Sequence, residues 1–162
     1  MYMKKIVDLV KLQKRVSEAR LEGKTIVLAN GCFDVIHVDH IRYLEGAKAL
    51  GNLLVVGINS DDSVRQLEGL HRPILPQEQR CELVAAVCYV DFVVVFHEPD
   101  VTALITAVRP HFHAKGTDYT EVMVPERDHI LKHEGQVRIV GDAKQHSTRD
   151  LIAMVRLKHR RS

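Results

Sequence analysis

Five short apolar runs recur along this chain and alternate with segments whose apolar residues have helical spacing. Most of these runs are mainly apolar, as expected for strands that are buried on both faces. They cover residues 25–29, 53–58, 90–96, 111–115 and 137–140. This alternation predicts an α/β fold, Rossmann-like and doubly wound, with a five-stranded parallel sheet and helices on both faces.

The segments between these runs predict the helices and the domain plan. Capping residues, glycines and prolines bound the predicted helices at residues 3–22, 39–50, 59–67, 77–88, 98–108, 126–134 and from Ser147 onward. Residues 1–23 are expected to form an amphipathic N-terminal helix packed on a single domain, 24–162. Residues 158–161 read as a basic tail.

Composition excludes several classes of protein. The chain has 162 residues, 46% hydrophobic and 27% charged, with a net charge of +2, which is typical of a globular domain rather than a nucleic-acid-binding or membrane-surface protein. No apolar run approaches a membrane span, and the three cysteines lack C-x-x-C spacing. We therefore expect a cytoplasmic protein. A dehydrogenase is disfavoured because no G-x-G-x-x-G follows the first strand.

Residues 30–40 join the first strand to a helix and read Asn-Gly-Cys-Phe-Asp-Val-Ile-His-Val-Asp-His. A helix N-terminus carries free N–H groups and a partial positive charge, so it binds phosphate readily. His37 and His40 stand three residues apart at that place and can point at one polyphosphate. The alternative to phosphate binding is a purely structural role, in which one histidine caps the helix and the other packs in the core.

This run resembles the H-x-G-H signature of the nucleotidyltransferase (cytidylyltransferase-like) superfamily, in the wording NGCFD followed by H-x-G-H. The resemblance implies that His37 and His40 contact the phosphates of a nucleoside triphosphate and act in catalysis with Lys115. It also implies that a nucleotide pocket is shaped by Asn30, Gly31, Phe33 and Asp34.

Three further motifs resemble the same superfamily. Arg72-Pro73 and Arg80 match its R-P-x6-R stretch and imply an arginine near the nucleotide, although a surface turn with an exposed arginine is the plain alternative. Residues 115–119 resemble K-G-G-D-Y and imply that Lys115, Gly116 and Asp118 bind the nucleotide. Residues 147–149 resemble S-T-T at a helix start, where Ser147 and Thr148 would hold phosphate, or simply cap the helix.

The best match is to the D-glycero-β-D-manno-heptose 1-phosphate adenylyltransferase branch, over about residues 24–155. It implies transfer of the AMP moiety of ATP to a sugar 1-phosphate, in particular heptose 1-phosphate for lipopolysaccharide precursors, with Mg²⁺ and release of pyrophosphate. Superfamily members are often dimers, so the resemblance also suggests a homodimer. No nucleic-acid or membrane partner is expected.

Two positions depart from the branch and keep alternatives open. Asp39 stands where the signature has Gly, and Glu68 stands where the branch has a Lys that assists the triphosphate. Arg149 also replaces the last Thr of S-T-T. The alternatives are a cytidylyltransferase for glycerol 3-phosphate or a similar polyol phosphate, and a weakly active or non-catalytic nucleotide-binding protein.

Two histidine pairs raise the question of a structural zinc site. His129 and His133 are four residues apart on a predicted helix, and His111 and His113 share a strand face. No H-E-x-x-H motif is present. We therefore assign no metal ligands.

Overall fold

The computed structural model describes residues 1–159 and contains one sheet of five parallel strands. Positions 160–161, the end of the predicted basic tail, lie outside the described residues. The strands are β1 (Ile26–Gly31), β2 (Leu53–Asn59), β3 (Phe92–Phe96), β4 (Phe112–Lys115) and β5 (Gln136–Ile139). Their order is β3-β2-β1-β4-β5, which confirms the predicted parallel sheet.

Helices cover both faces of this sheet. They are α1 (Leu9–Leu21), α2 (Val38–Ala49), α3 (Asp61–Glu68), α4 (Gln77–Ala86), α5 (Thr102–Val108), α6 (Arg127–Lys132) and α7 (Thr148–His159). One apolar core contains Leu12 of α1, Leu104 of α5 and Ile130 of α6. The other contains Leu44 of α2 and Val84 of α4. Two separate cores on opposite faces confirm the doubly wound arrangement.

The N-terminal helix is shorter than predicted. A 3-10 turn spans Tyr2–Lys5, and α1 begins only after Asp8, whose carboxylate accepts a hydrogen bond from the Lys11 N–H at 2.7 Å. Between them, Ile6 pairs in parallel with Val93 of β3. An extended backbone at this place satisfies polar groups at the sheet edge, so it replaces the helix that spacing alone suggested.

Two other boundaries also differ for local reasons. The predicted helix at 98–108 begins at Thr102, because the Asp100 carboxylate accepts the Thr102 N–H at 2.8 Å. Gly51 directly follows the predicted helix 39–50, where a left-handed glycine is expected to end it, but its backbone is not left-handed. A Cβ there would lie 2.8 Å from the Thr25 carbonyl oxygen. A close approach of two backbones therefore requires this glycine.

The strand order creates a crevice beside β1. The chain moves outward from β1 to β2 and β3, then returns to the other side of β1 with β4 and β5. At such a reversal the loops at the carboxyl ends of the strands diverge and leave room for a ligand. Within residues 1–159 no helix has the length and apolar character needed to cross a bilayer.

Candidate active site

A cleft of about 570 Å³ opens at this crevice. Its walls come from the loop after β1, the turn after β4 and the segment that leads into α7. Twelve of the thirteen predicted site residues line it: Asn30, Gly31, Phe33, Asp34, His37, His40, Arg72, Lys115, Gly116, Asp118, Ser147 and Thr148. Residues up to 118 positions apart in the sequence therefore share one cavity.

His37 and His40 lie side by side at the start of α2, with ring centroids 4.0 Å apart. The His37 backbone N–H donates to His40 Nδ1 at 3.3 Å, which leaves the proton of a neutral His40 ring on Nε2. Burial, followed by the nearby His37, lowers the pKa of His40 to about 4. Burial lowers the pKa of His37 as well. Near pH 7 the rings are therefore neutral hydrogen-bond donors in the cleft.

The loop before these histidines has a strained backbone. Phe33 (φ 48°) and Val35 (φ 58°) are left-handed, a conformation that non-glycine and especially β-branched residues avoid. Such residues cost about 1–3 kcal/mol each and persist only when the surroundings hold them. Strain beside a predicted phosphate-binding pair indicates that the loop is held in a specific shape.

Asp34 supplies much of that support. Its side chain is fully buried, and its carboxylate accepts hydrogen bonds from Arg72 Nε (2.6 Å), the Ile74 N–H (2.8 Å) and the Leu75 N–H (3.0 Å). Burial acts to raise the pKa of Asp34, but the two N–H groups and the guanidinium outweigh it, and the pKa lies below its usual value. Asp34 thus organises the cleft wall through its side chain rather than by offering a free carboxylate.

Arg80 is the predicted site residue that does not line the cleft. Its side chain is fully buried and donates to the carbonyl oxygens of Leu75 (3.0 Å) and Cys32 and to Asp61 Oδ1 (2.8 Å). The resemblance implied an arginine near the nucleotide, and the structure places Arg80 behind the loop instead. All three bonds fix main-chain or side-chain oxygens around that loop, so we describe Arg80 as a positioning residue.

Lys115 lies at the end of β4 and is held by a residue that sequence reasoning missed. Its Nζ is 2.6 Å from Glu126 Oε1 and 3.3 Å from Asn30 Oδ1. His113 Nε2 lies 3.2 Å from the same Glu126 oxygen. Burial acts to raise the pKa of Glu126, but the His113 hydrogen bond and the Lys115 charge lower it to about 2. No motif marked Glu126, which lies between a 3-10 turn and α6.

The Asp39 carboxylate does not face the cleft as an unpaired charge. It accepts hydrogen bonds from the backbone N–H groups of Gln145 (3.1 Å) and His146 (2.9 Å), which lower its pKa. Its oxygen lies 4.0 Å from His37 Nδ1. Asp39 therefore ties the first turn of α2 to the segment before α7, a connection that a glycine could not make.

Glu68, the second residue that departs from the resembled motifs, also has a hydrogen-bonding partner. Its Oε2 atom accepts from Arg149 Nη2 (2.6 Å) and Nε (3.0 Å), and both side chains line the cleft. Glu68 and Arg149, two of the three residues that differ from the resembled motifs, are thus paired with each other at the opening of the cleft, between the end of α3 and the start of α7.

The start of α7 has the predicted capping arrangement. The Ser147 N–H (2.9 Å) and hydroxyl (2.7 Å) donate to Asp150 Oδ2, and the Asp150 N–H donates to Ser147 Oγ at 3.1 Å. Thr148 Oγ1 donates to the Asp34 carbonyl oxygen at 2.9 Å, which fixes this helix end beside the loop after β1.

The paired histidines outside the cleft have ordinary protein contacts. His129 Nε2 lies 2.8 Å from Thr106 Oγ1, and His111 Nδ1 accepts the Ile26 N–H at 2.9 Å. Among residues 1–159, no three His, Cys, Asp or Glu side chains gather closely enough to hold a metal ion.

Comparison with known proteins identifies the family. The model of the cytidylyltransferase-like family matches residues 28–159. The chain belongs to that family. This assigns it to the nucleotidyltransferases, as the signature predicted, and confirms the resemblance on which the site residues were chosen.

Curated relatives in the family include long proteins named bifunctional protein HldE. The chain is 41% identical to the one from Pelobacter propionicus over 140 residues, or 86% of the chain and 29% of the relative. It is 42% identical to the one from Coxiella burnetii over 137 residues, or 85% of the chain and 29% of the relative. The chain thus spans less than a third of the length of these relatives.

Solved structures agree with the fold. A lipopolysaccharide core biosynthesis protein from Thermoplasma volcanium aligns with a TM-score of 0.66 at 27% identity, covering 75% of this chain and 100% of that one. A pantoate-β-alanine ligase from Francisella tularensis, in complex with an ATP ligand and β-alanine, aligns with a TM-score of 0.64 at 15% identity over 86% of this chain and 67% of that one. The second likeness concerns the fold alone.

Proposed function

We propose that this chain transfers the AMP moiety of ATP to a sugar 1-phosphate, specifically a heptose 1-phosphate, and releases pyrophosphate. One observation carries the proposal: two adjacent neutral imidazoles at a helix N-terminus share a single cleft with Lys115. The kinship with proteins named HldE and the likeness to a lipopolysaccharide core biosynthesis protein support the choice of acceptor.

The proposed reaction is an in-line displacement. A phosphate oxygen of the acceptor forms a bond to the α-phosphorus of ATP, and the bond from that phosphorus to the oxygen bridging to the β-phosphate breaks. Pyrophosphate leaves with the electron pair of the broken bond, so negative charge grows on the phosphate oxygens. Prearranged N–H groups stabilise such charge without having to reorganise. His37, His40 and the first turn of α2 supply them.

Lys115 is proposed as the cation nearest the reacting phosphates. Its contacts with Glu126 and Asn30 fix the ammonium group before any substrate binds. A positive charge that is already in place stabilises the transition state without the free-energy cost of ordering the side chain during the reaction.

Mg²⁺ is proposed to accompany ATP, because it neutralises phosphate charge and keeps most of its water ligands. It needs only one or two protein carboxylates besides the phosphates. Asp118 and Asp142 line the cleft with side chains that are 47% and 72% exposed. Each is paired with a cation at the protein surface, Lys144 (2.9 Å) and Arg42 (3.5 Å), and would exchange that cation for the metal ion.

Two further expectations belong to the proposal. We place the protein in the cytoplasm, where ATP and sugar phosphates are formed. A homodimer is the arrangement that we would test first, by light scattering.

The experiment measures pyrophosphate release with ATP or CTP as donor and heptose 1-phosphate, hexose 1-phosphates or glycerol 3-phosphate as acceptor. We expect release with ATP and heptose 1-phosphate. His37→Ala combined with His40→Ala should lower the rate about 100-fold or more. His129→Ala combined with His133→Ala is the matched control, a histidine pair on α6 and at its C-cap, outside the cleft, and should leave the rate unchanged.

The other outcomes separate the alternatives. Release only with CTP and glycerol 3-phosphate would replace the proposal with the polyol-phosphate cytidylyltransferase. Nucleotide binding without release for any acceptor would favour a non-catalytic protein. That second alternative depended on unpaired negative charge at Asp39 and Glu68, and both carboxylates have partners in the structure.

A further inference from the structure

Every lysine and arginine that lines the cleft is paired with a carboxylate of the described chain. The pairs, with their N–O distances, are Lys115 with Glu126 (2.6 Å), Arg72 with Asp34 (2.6 Å), Lys144 with Asp118 (2.9 Å) and Arg149 with Glu68 (2.6 Å). Because His37 and His40 are neutral near pH 7, these four pairs leave little net positive charge in the cleft. A polyphosphate needs cations, so we expect at least one pair to open when it binds.

The pairs differ greatly in how easily they can open. The Arg72 and Lys115 pairs are buried, with side chains 13% or less exposed, and removing one partner of such a pair costs several kcal/mol in general. The other two pairs are more exposed, with Lys144 at 50% and Asp118 at 47%, and Arg149 at 72% and Glu68 at 27%. Exposed pairs contribute only about 0–1 kcal/mol. The Arg149 pair can therefore exchange partners at little cost.

Arg149 is also well placed for phosphate. It is the second residue of α7, directly after Thr148, and the N-terminal turn of that twelve-residue helix lies against the cleft. The hydrogen bond from Thr148 to the Asp34 carbonyl keeps this end of α7 beside the loop after β1. A guanidinium presents two parallel N–H donors, which match two oxygens of one phosphate group.

We infer that Arg149 is a phosphate-binding residue of the nucleotide site, held by Glu68 in the free protein and transferred to a phosphate oxygen when the nucleotide binds. This rests on the proposed function, since it takes the cleft as the nucleotide site. Glu68 then acts as a competitor for the guanidinium, and the pair keeps the long arginine side chain at the cleft mouth until the phosphate arrives.

The test is calorimetric titration of the intact protein with ATP and with inorganic tripolyphosphate, without any acceptor. Arg149→Gln should weaken the binding of both ligands about 10-fold, the lower end of what one hydrogen bond to a charged group contributes. Glu68→Gln should tighten the binding of both ligands, because the Arg149 guanidinium then has no ion pair to break before it binds phosphate. Arg156→Gln is the matched control, an arginine on the same helix that lines the neighbouring groove and not the cleft, and should change neither affinity by more than about twofold.

Opposite signs for the Glu68 and Arg149 variants distinguish partner exchange from a purely structural ion pair. If the pair only braced the cleft, breaking it from either side would weaken binding or leave it unchanged, and that result would overturn the inference. Lack of ATP and tripolyphosphate binding by the unmodified protein would overturn the proposed function as well. Binding without pyrophosphate release would leave this inference intact and count against the proposed reaction alone.

Discussion

Replacing Glu126 with Gln tests how strongly the carboxylate holds Lys115 in the cleft. The pKa of Glu126 falls from an ordinary value of 4.5 to about 2 in the folded chain. At about 1.4 kcal/mol per pKa unit, the ionised form stabilises the fold by about 3 kcal/mol. Its side chain is only 10% exposed, so solvent screening reduces this little. We therefore expect Glu126→Gln to lower the free energy of unfolding by about 3 kcal/mol at pH 7.

The pH dependence has a definite sign. Because the pKa of Glu126 is lower in the folded state, its contribution is complete above pH 4.5 and declines as the pH falls from 4.5 towards 2. At about pH 3 roughly 60% of it should be gone, by the same linkage. The loss of stability caused by Glu126→Gln should shrink to about 1.4 kcal/mol there.

Urea denaturation at pH 7 and at pH 3, followed by circular dichroism, measures both values. Glu121→Gln is the matched control, since Glu121 pairs with Arg138 at 3.7 Å with side chains 52% and 40% exposed. It should cost less than about 1 kcal/mol. A Glu126→Gln penalty equal at the two pH values would refute the reasoning, because the loss would then come from packing and not from charge.

Three shorter predictions concern the loop after β1 and the start of α2. Asp34→Asn should cost about 3–5 kcal/mol in urea denaturation, since it leaves the Arg72 charge buried and uncompensated; a penalty below about 1 kcal/mol would contradict this. Asp39→Ala should speed amide hydrogen exchange at Gln145 and His146, whose N–H groups lose their acceptor; unchanged exchange would show that the contact contributes nothing. In an NMR titration, His40 should protonate with a midpoint near 4, and a midpoint above 6 would show that its ring is not desolvated.

The sheet was predictable because the strands can be recognised from their local sequence. Uniformly apolar runs such as 53–58 are recognisable without any partner, and the structure extends that run by one residue to Asn59. The N-terminal boundary was wrong at 3–22 because pairing of Ile6 with Val93 competes with helix formation there. A contact between residues 87 positions apart cannot be detected from the spacing of apolar residues within one segment.

The cleft was predictable only in part, for the same reason. The site residues that the resemblance predicted do lie together at the carboxyl ends of the strands. The role of each one, however, depends on partners that are distant in the sequence. Asp39 looked repulsive in isolation, and its acceptor role depends on N–H groups 106 and 107 residues away. Arg80 matched a motif and yet lies behind the loop, because Cys32, Leu75 and Asp61 surround its guanidinium with oxygens.

The buried carboxylates give the cleft a fixed pattern of charge. Asp34 and Glu126 have lowered pKa values, so both stay ionised well below neutral pH and keep Arg72 and Lys115 in place. His40 has a lowered pKa too, so it stays neutral and keeps its ring N–H as a donor. Between about pH 5 and 8 none of these three groups changes its charge. A site that stabilises growing phosphate charge by prearranged donors requires such constancy, because any reorganisation would subtract from the stabilisation it provides.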